Sequence, residues 1–296
     1  MKYLVLLLSL LCVSTAQAEV RWLEDKPIYE EPLAYSRATG SYLLVSTSKY
    51  LGQRIAYLDA AIGKDMPIFT WQTDNITLQT GVQASTWITL GYTGELSFPL
   101  LTQDFHFAIP LSIRYKSLSG SIRFNHVSAH KGDGIDDLIE EELSGSDKEN
   151  FEQIEEFGER NGVDVSLVEP LSYSRDFFSG HVSYKCLVDS VEYRHYFHLA
   201  YAHKIIPEEL NPWLVGGGLE VKRNIGSLTP FVAQDVTWNG DVDSVDLNFM
   251  LGTFFGRDDD NIFDIGAAAS AYIGSDRRGQ LLGRKMKQFS IGFFVR

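Results

Sequence analysis

A histidine and a serine two positions apart, followed by an aspartate further along the chain, have the residue types of a nucleophilic site. In an extended segment His126 and Ser128 share one strand face, which brings the imidazole within hydrogen-bond reach of the hydroxyl. Asp176 has the parity of the apolar Phe178 and opens the next predicted strand. A carboxylate there would fix the tautomer of the imidazole. The spacing predicts Ser128 as nucleophile, His126 as general base and then acid, and Asp176 as orienting group.

A second interpretation of the same residues remains open. An H-x-S pair also arises by chance, and strand ends in a headgroup zone are ordinarily polar. The donor that would stabilise an oxyanion is unassigned at this point. A backbone N–H beyond Ser128, or a cation held by Asp133, would serve.

The segments that would position these residues alternate between apolar and polar side chains with a period of two residues. In 104–116 one parity is apolar and the other polar, and the apolar set is Phe105, Phe107, Ile109, Leu111, Ile113 and Tyr115. In 244–255 the same alternation places Phe249 on the apolar face and Asn248 on the polar face. Outside one short helical candidate near 135–143, no part of the chain carries a comparable helical stripe. The pattern predicts strands with one apolar face.

Two architectures fit such strands. A soluble β-sandwich buries the apolar face against a second sheet, whereas a transmembrane barrel turns it to lipid. The strands are about ten residues long, which suits a tilted membrane strand better than a sandwich strand. We predict an all-β, antiparallel, up-and-down transmembrane β-barrel of about 12 strands. The predicted strands are 41–48, 54–70, 76–90, 104–116, 119–128, 176–188, 194–205, 212–222, 228–238, 243–256, 261–273 and 285–295.

The first eighteen residues have the pattern of a secretory signal. Lys2 precedes an apolar stretch of eleven residues at 3–13, and Ala16-Gln17-Ala18 is a cleavage site of the A-x-A type. A membrane anchor is the alternative, but a span needs about 20 apolar residues. We therefore expect residues 1–18 to be a signal peptide, 19–296 to be a single barrel domain, and the protein to reside in the outer membrane. Cleavage leaves Cys186 alone, which excludes an internal disulfide.

The charge is concentrated in one segment. The chain carries −13, and 133–159 holds twelve acidic residues against one basic residue. We predict a long acidic outer loop at 129–175, which is a solvated surface segment or, less directly, a calcium site involving Asp133. The run lacks the ligand spacing of an EF-hand, so we expect no cofactor beyond that calcium. The acidity argues against nucleic acid as a partner; membrane lipids and the barrel-assembly machinery are the expected partners.

Several short motifs resemble a known family. Residues 126–133 (H-V-S-A-H-K-G-D) resemble the H-x-S-S-H-L-G-D signature of a bacterial family catalogued as domain of unknown function 1207. Further matching stretches are 108–112, 212–213, 218–220, 229–231 with Asp235, and the pair Gly279 and Gln280. The resemblance implies an outer-membrane barrel without an assigned activity. Ala129 and Lys131 depart from the signature.

A weaker similarity points to outer-membrane phospholipase A and to lipid A deacylases. Those enzymes carry an H-x-S pair on a lipid-facing strand, which His126 and Ser128 match, and Asp176 stands where the phospholipase has its third residue. The Asn-Gly or Asn-Ala that usually follows the serine is absent. The similarity implies a serine lipid ester hydrolase acting at the outer leaflet. The first prediction is nevertheless an outer-membrane barrel of unassigned activity, either a pore or a surface protein, and the lipid ester hydrolase is the alternative.

Overall fold

The computed structural model describes residues 18–50, 53–92, 98–134, 172–256 and 263–296. A short strand, β1 (Glu19–Trp22), precedes twelve longer ones. These are β2 (Ser41–Tyr50), β3 (Gln53–Gln72), β4 (Ile76–Gly91), β5 (Leu100–Tyr115), β6 (Leu118–Lys131), β7 (Ser174–Val188), β8 (Val191–Ile206), β9 (Trp213–Arg223), β10 (Leu228–Asn239), β11 (Ser244–Phe255), β12 (Ile265–Ser275) and β13 (Lys285–Val295). Within these ranges no helix is long and apolar enough to cross a membrane.

The twelve longer strands close into one barrel. Each pairs antiparallel with its neighbour in the chain, and β13 pairs with β2, with Val295 opposite Ser41. Closure removes the edge strands that would otherwise carry unpaired backbone groups. The predicted architecture of a twelve-stranded up-and-down barrel is confirmed. The strand β1 was not predicted; it lies against the end of β3, with Glu19 opposite Gln72.

The two ends of the barrel differ in their connections. At one end, two-residue turns join β5 to β6 and β7 to β8, and Asp189 and Ser190 in the second turn have positive φ values of 48° and 67°. At the other end β6 and β7 are joined by residues 132–173 and β12 and β13 by 276–284. Short turns are periplasmic and long loops extracellular in such barrels. We call the two ends the turn end and the loop end.

The predicted acidic loop, 129–175, is longer than the observed connection 132–173, because 129–131 belong to β6 and 174–175 to β7. Most of it, residues 135–171, lies outside the described residues, together with the short helical candidate and nearly all of the acidic run. The acidic loop therefore stays a prediction.

The outer surface of the barrel is apolar and its interior is polar. Phe249, Leu251 and Ile122 point outward and are 43%, 50% and 65% exposed. The intervening positions point inward, and their buried polar side chains include Asp59, Arg123, Arg194, Glu220 and Asp235. Such an outer surface is stable only against acyl chains, because water would leave the whole apolar belt exposed. The protein is therefore an outer-membrane β-barrel.

A segment before β2 fills the lumen from the turn end. We call residues 24–40 the luminal segment. Its Glu31 pairs with Arg123 of β6, and the N–H of its Leu33 donates to Glu220 of β9 at 2.5 Å. Its Ala34 is fully buried and accepts a hydrogen bond from Asn248. The polar wall therefore faces a second piece of chain rather than an open channel.

The connection 276–284, which we call the inner loop, closes the lumen from the loop end. The Arg278 guanidinium makes two hydrogen bonds to the Asp276 carboxylate. The N–H of Gly279 donates to Asp104 at 3.1 Å, and Gln280 donates to the carbonyl oxygen of Ala129 at 2.7 Å. The inner loop is thus tied to β5 and β6, the wall that carries Ser128.

Candidate active site

The predicted site residues lie on two adjacent strands. In the pairing of β6 with β7, His126 stands opposite Asp176 and Ser128 opposite Ser174. The alternation that turns Phe124 outward also turns His126 and Ser128 outward, because parity is fixed along a regular strand. All three predicted residues therefore share the outer face, as the sequence pattern indicates.

His126 and Asp176 form a direct hydrogen bond. The imidazole Nδ1 lies 2.6 Å from Oδ1 of Asp176, and the two side chains are 46% and 27% exposed. This contact uses Nδ1 of the imidazole and leaves Nε2 facing away from the carboxylate. A carboxylate at Nδ1 selects the tautomer with the proton on that nitrogen, which makes Nε2 an acceptor.

The site lies near the outer boundary of the apolar belt. His126 is eight residues beyond Leu118 at the turn end of β6, a distance of ~26 Å along the strand. With a strand tilt of ~40° this is ~20 Å along the membrane normal, in a belt about 25 Å tall. Below the site the outer face is aromatic: the His203 ring lies 5.9 Å from that of Phe124 and 5.7 Å from that of Phe178.

Ser128 lies between two histidines on the same strand face. Its Oγ is 3.3 Å from Nε2 of His130, whereas the described residues show no hydrogen bond between Ser128 and His126. The His130 ring in turn packs edge-on against Phe105 of β5 at 5.4 Å. Rotation about one side-chain bond moves the serine oxygen between staggered positions, so its contact with His130 is not the only orientation open to the hydroxyl.

The inward side of this strand segment is rigidly held. The N–H of Ala129 donates to the carbonyl oxygen of Tyr173 at 3.0 Å, and the Tyr173 hydroxyl donates to Asp241 at 2.8 Å. Burial raises the pKa of the Tyr173 hydroxyl, and the nearby Asp241 carboxylate adds to the effect. With Gln280 on the Ala129 carbonyl, the backbone between Ser128 and His130 is fixed on its inner side.

Asp133, the predicted cation ligand, is exposed and follows the end of β6. Within the described ranges no group of three or more His, Cys, Asp or Glu side chains is arranged to hold a metal ion. A cation at Asp133 therefore stays a prediction, as does calcium as a cofactor.

Two further histidines lie inside the barrel beside polar partners. His106 contacts Asn125 at 3.2 Å, and His198 contacts Asp235 at 3.2 Å. Both are buried, away from lipid. A Cβ added to Gly216 would come within 2.5 Å of His198, which explains why β9 carries a glycine beside that ring.

Two neighbours of the site were not among the predicted site residues. His130 extends the outward row one step beyond Ser128, and the parity of β6 would have identified it. Lys204 is exposed and stands opposite Asp176, but a bulge in β8 at His203 shifts the register there. A strand pattern read from sequence does not locate such a bulge, so Lys204 was not predictable.

Comparison with known proteins finds likenesses of architecture. No family model and no curated protein matches the chain, so membership in the family of unknown function 1207 stays a prediction. Outer membrane phospholipase A from Escherichia coli is 11% identical, with a TM-score of 0.47, over 92% of this chain and 94% of that one. The calcium-bound dimer of the Salmonella typhi phospholipase gives 10% and 0.46 over the same shares.

A third structure is similar to a lesser degree. LpxR from Salmonella typhimurium is 10% identical, with a TM-score of 0.38, over 86% of this chain and 99% of that one. All three similarities concern the barrel path alone.

Proposed function

We propose that this outer-membrane barrel is a lipid ester hydrolase that acts at the outer leaflet. The observation that carries the proposal is the 2.6 Å contact between His126 Nδ1 and Asp176, on the lipid-facing surface and two residues from Ser128. Polar side chains that face acyl chains are costly unless they have a partner or a function. A His–Asp pair two residues from a serine supplies a base and the carboxylate that orients it, whereas the contact between the serine and the base is not formed in the free protein.

In the proposed reaction Ser128 Oγ attacks the carbonyl carbon of an acyl ester while its proton passes to Nε2 of His126. The carbonyl electrons move to oxygen and form a tetrahedral oxyanion. As the carbonyl re-forms, the ester C–O bond breaks, and His126 returns the proton to the leaving alcohol oxygen. Water then repeats the sequence on the acyl-serine and releases a fatty acid. Throughout, Asp176 accepts the hydrogen bond from Nδ1 and stabilises the imidazolium.

The resting contact of Ser128 with His130 is compatible with this scheme. Hydrogen bonds of catalytic residues are often long or misaligned before substrate binds, and tighten in the complex. The position also suits the substrate, because ester carbonyls lie between acyl chains and headgroups, at the level where the outward face changes from apolar to polar.

The filled lumen weighs against the competing prediction of a pore. The luminal segment and the inner loop occupy both ends of the barrel interior, and they hold its charged groups in pairs such as Glu31 with Arg123. Calcium remains a candidate cofactor only through the unplaced cation at Asp133.

The decisive experiment measures fatty-acid release from phospholipid in mixed micelles by the purified protein. We expect Ser128→Ala and His126→Ala to lower the rate by several orders of magnitude, because the members of such a unit act together. Ser121→Ala is the matched control, since it removes a hydroxyl from the same strand on its luminal side. A long-chain fluorophosphonate should label Ser128 covalently. Absence of hydrolysis and of labelling in the wild type would leave a non-enzymatic barrel.

A further inference from the structure

The proposed nucleophile lies in the middle of a paired strand, and this constrains how an oxyanion can be stabilised. Ser128 stands opposite Phe105 on one side and Ser174 on the other, so both edges of the strand are engaged in the sheet. The N–H of Ala129, the next donor along the chain, is taken by Tyr173. The Ala129 N–H is therefore not free to donate to the oxyanion, although a backbone N–H just beyond Ser128 was one of the expected donors.

A side-chain donor is then the alternative to a bound cation, and His130 is placed to be that donor. Its Nε2 is 3.3 Å from Ser128 Oγ, on the opposite side of the serine from His126. The oxyanion is bonded to the same carbon that Oγ attacks. A donor that reaches Oγ in the free protein is therefore within reach of the oxyanion after the attack.

The two flanking histidines differ in what else they contact. His126 is bound at Nδ1 by Asp176, so its Nε2 is the acceptor that a general base needs. Within the described ranges His130 has no carboxylate partner, and its Nε2 contacts the hydroxyl of Ser128. Without a carboxylate at Nδ1, the proton is free to reside on Nε2, where it is a donor toward the serine.

We propose that His130 is the oxyanion-stabilising residue of this site, an inference that rests on the proposed ester hydrolysis. The Nε2–H of His130 donates to the carbonyl oxygen as it becomes negatively charged, and the hydrogen bond weakens when the carbonyl re-forms. No proton is transferred through this hydrogen bond. His126 carries the proton between Ser128 and the leaving alcohol, while His130 stabilises the charge.

The packing of His130 supports this role. Its ring lies edge-on to Phe105 at 5.4 Å, which limits the directions in which Nε2 can point. A donor held in place before the reaction lowers the barrier without reorganising during it. Phe105 belongs to the apolar belt, so the carbonyl of a lipid that rests on this ring would lie beside Nε2.

The test compares His130→Phe, which keeps the aromatic packing and removes the donor, with His130→Asn, which keeps an N–H donor. Ser174→Ala is the control for the neighbouring hydroxyl. We expect His130→Phe to lower kcat about 10²–10³-fold with little change in KM. We expect it to slow phosphonylation of Ser128 by a similar factor, because the phosphonate adduct resembles the tetrahedral intermediate. His130→Asn should retain more activity than His130→Phe, and Ser174→Ala should behave as the wild type.

Other outcomes overturn the inference. If His130→Phe matches the wild type while Ser128→Ala is inactive, the oxyanion is stabilised elsewhere and only the proposed function stands. If His130→Phe is as inactive as Ser128→Ala and His126→Ala retains most of the activity, His130 is the general base. If chelation with EDTA abolishes the activity and His130→Phe has no effect, a bound cation stabilises the oxyanion. A wild type that neither hydrolyses lipid nor reacts with the phosphonate removes both proposals.

Discussion

Among the described residues the barrel has two histidine–aspartate contacts, one on its outer face and one in its lumen. His126 and Asp176 are 2.6 Å apart and 46% and 27% exposed, whereas His198 and Asp235 are 3.2 Å apart and 1% and 4% exposed. The luminal pair is covered by the ring of Tyr35 from the luminal segment, at 4.8 Å from His198. The outer pair has Ser128 beside it and lipid in front of it. The two pairs have the same residue types, and they differ in whether a lipid can reach them.

The two pairs also differ in their contribution to the stability of the barrel. In the lumen a buried carboxylate needs partners to offset its desolvation, and Asp235 has both His198 and Thr237, the latter at 2.6 Å. That pair stabilises the contact between β8 and β10. On the outer face the same chemistry is exposed at the end of the belt, where it contributes little to stability. The proposed hydrolysis would give the outer pair a role that stability does not.

Replacing each aspartate by asparagine tests this difference most strongly. Asp176→Asn should lower the rate of lipid hydrolysis by roughly 10⁴-fold, because an amide at Nδ1 no longer selects the productive tautomer. Asp235→Asn should leave the rate unchanged and lower the thermal stability. Initial rates at saturating lipid and melting curves of both variants measure this. Similar losses of activity in the two variants would show that exposure to lipid does not determine which pair acts in hydrolysis.

The outer face was predictable from sequence because strand parity is a local property. Once Ile122 and Phe124 are assigned to lipid, His126 and Ser128 follow, and the structure places them there. The strand β7 has its own alternation, which is why Asp176 could be assigned to the same face before any pairing was known.

The contents of the lumen were not predictable in this way. The luminal segment has no two-residue period, and its partners are distant in the chain: Glu31 contacts Arg123, and Leu33 contacts Glu220. Nothing local in 24–40 indicates these contacts, which exist only because the barrel closes around the segment. The contact of Gln280 with Ala129 was missed for the same reason.

The buried charges that meet the luminal segment should dominate stability. Glu220 is fully buried between Lys222, at 3.1 Å, and Arg194, at 3.6 Å. Glu220→Ala would remove the buried carboxylate that these two cations share, and we expect a loss of about 3–5 kcal/mol in the free energy of unfolding. Lys185→Ala is the control, since its pair with Glu30 is partly exposed and should contribute at most about 1 kcal/mol. Urea titrations in lipid vesicles measure the free energy of unfolding of both variants. Equal losses would contradict the larger contribution expected from the buried Glu220.

The apolar belt should respond to charge according to depth. Phe249 lies in the middle of β11 and Phe255 at its turn end, and both are 43% exposed on the outer face. Phe249→Lys should cost about 2–4 kcal/mol, and Phe255→Lys about 0–1 kcal/mol, because the lysine can reach the headgroups from the end of the strand. The same titrations apply. A larger cost at Phe255 would mean that the belt is centred nearer the turn end.

The smallest expected effect concerns how firmly the luminal segment is held. Asn248 donates to the carbonyl oxygen of Ala34 at 2.7 Å, and Ala34 is fully buried against Phe231 and Phe254. Asn248→Ala should weaken this attachment by about 0.5–1.5 kcal/mol, which raises the population of the detached segment by roughly 2- to 13-fold. In a Cys186→Ser background, Ala34→Cys reports detachment through its rate of reaction with a membrane-impermeant maleimide. We expect slow labelling that Asn248→Ala accelerates, while Phe249→Ala on the outer face leaves it unchanged. Fast labelling with Asn248 intact would show that the segment detaches without the loss of this contact, and the contrast between a filled lumen and an accessible outer face would no longer hold.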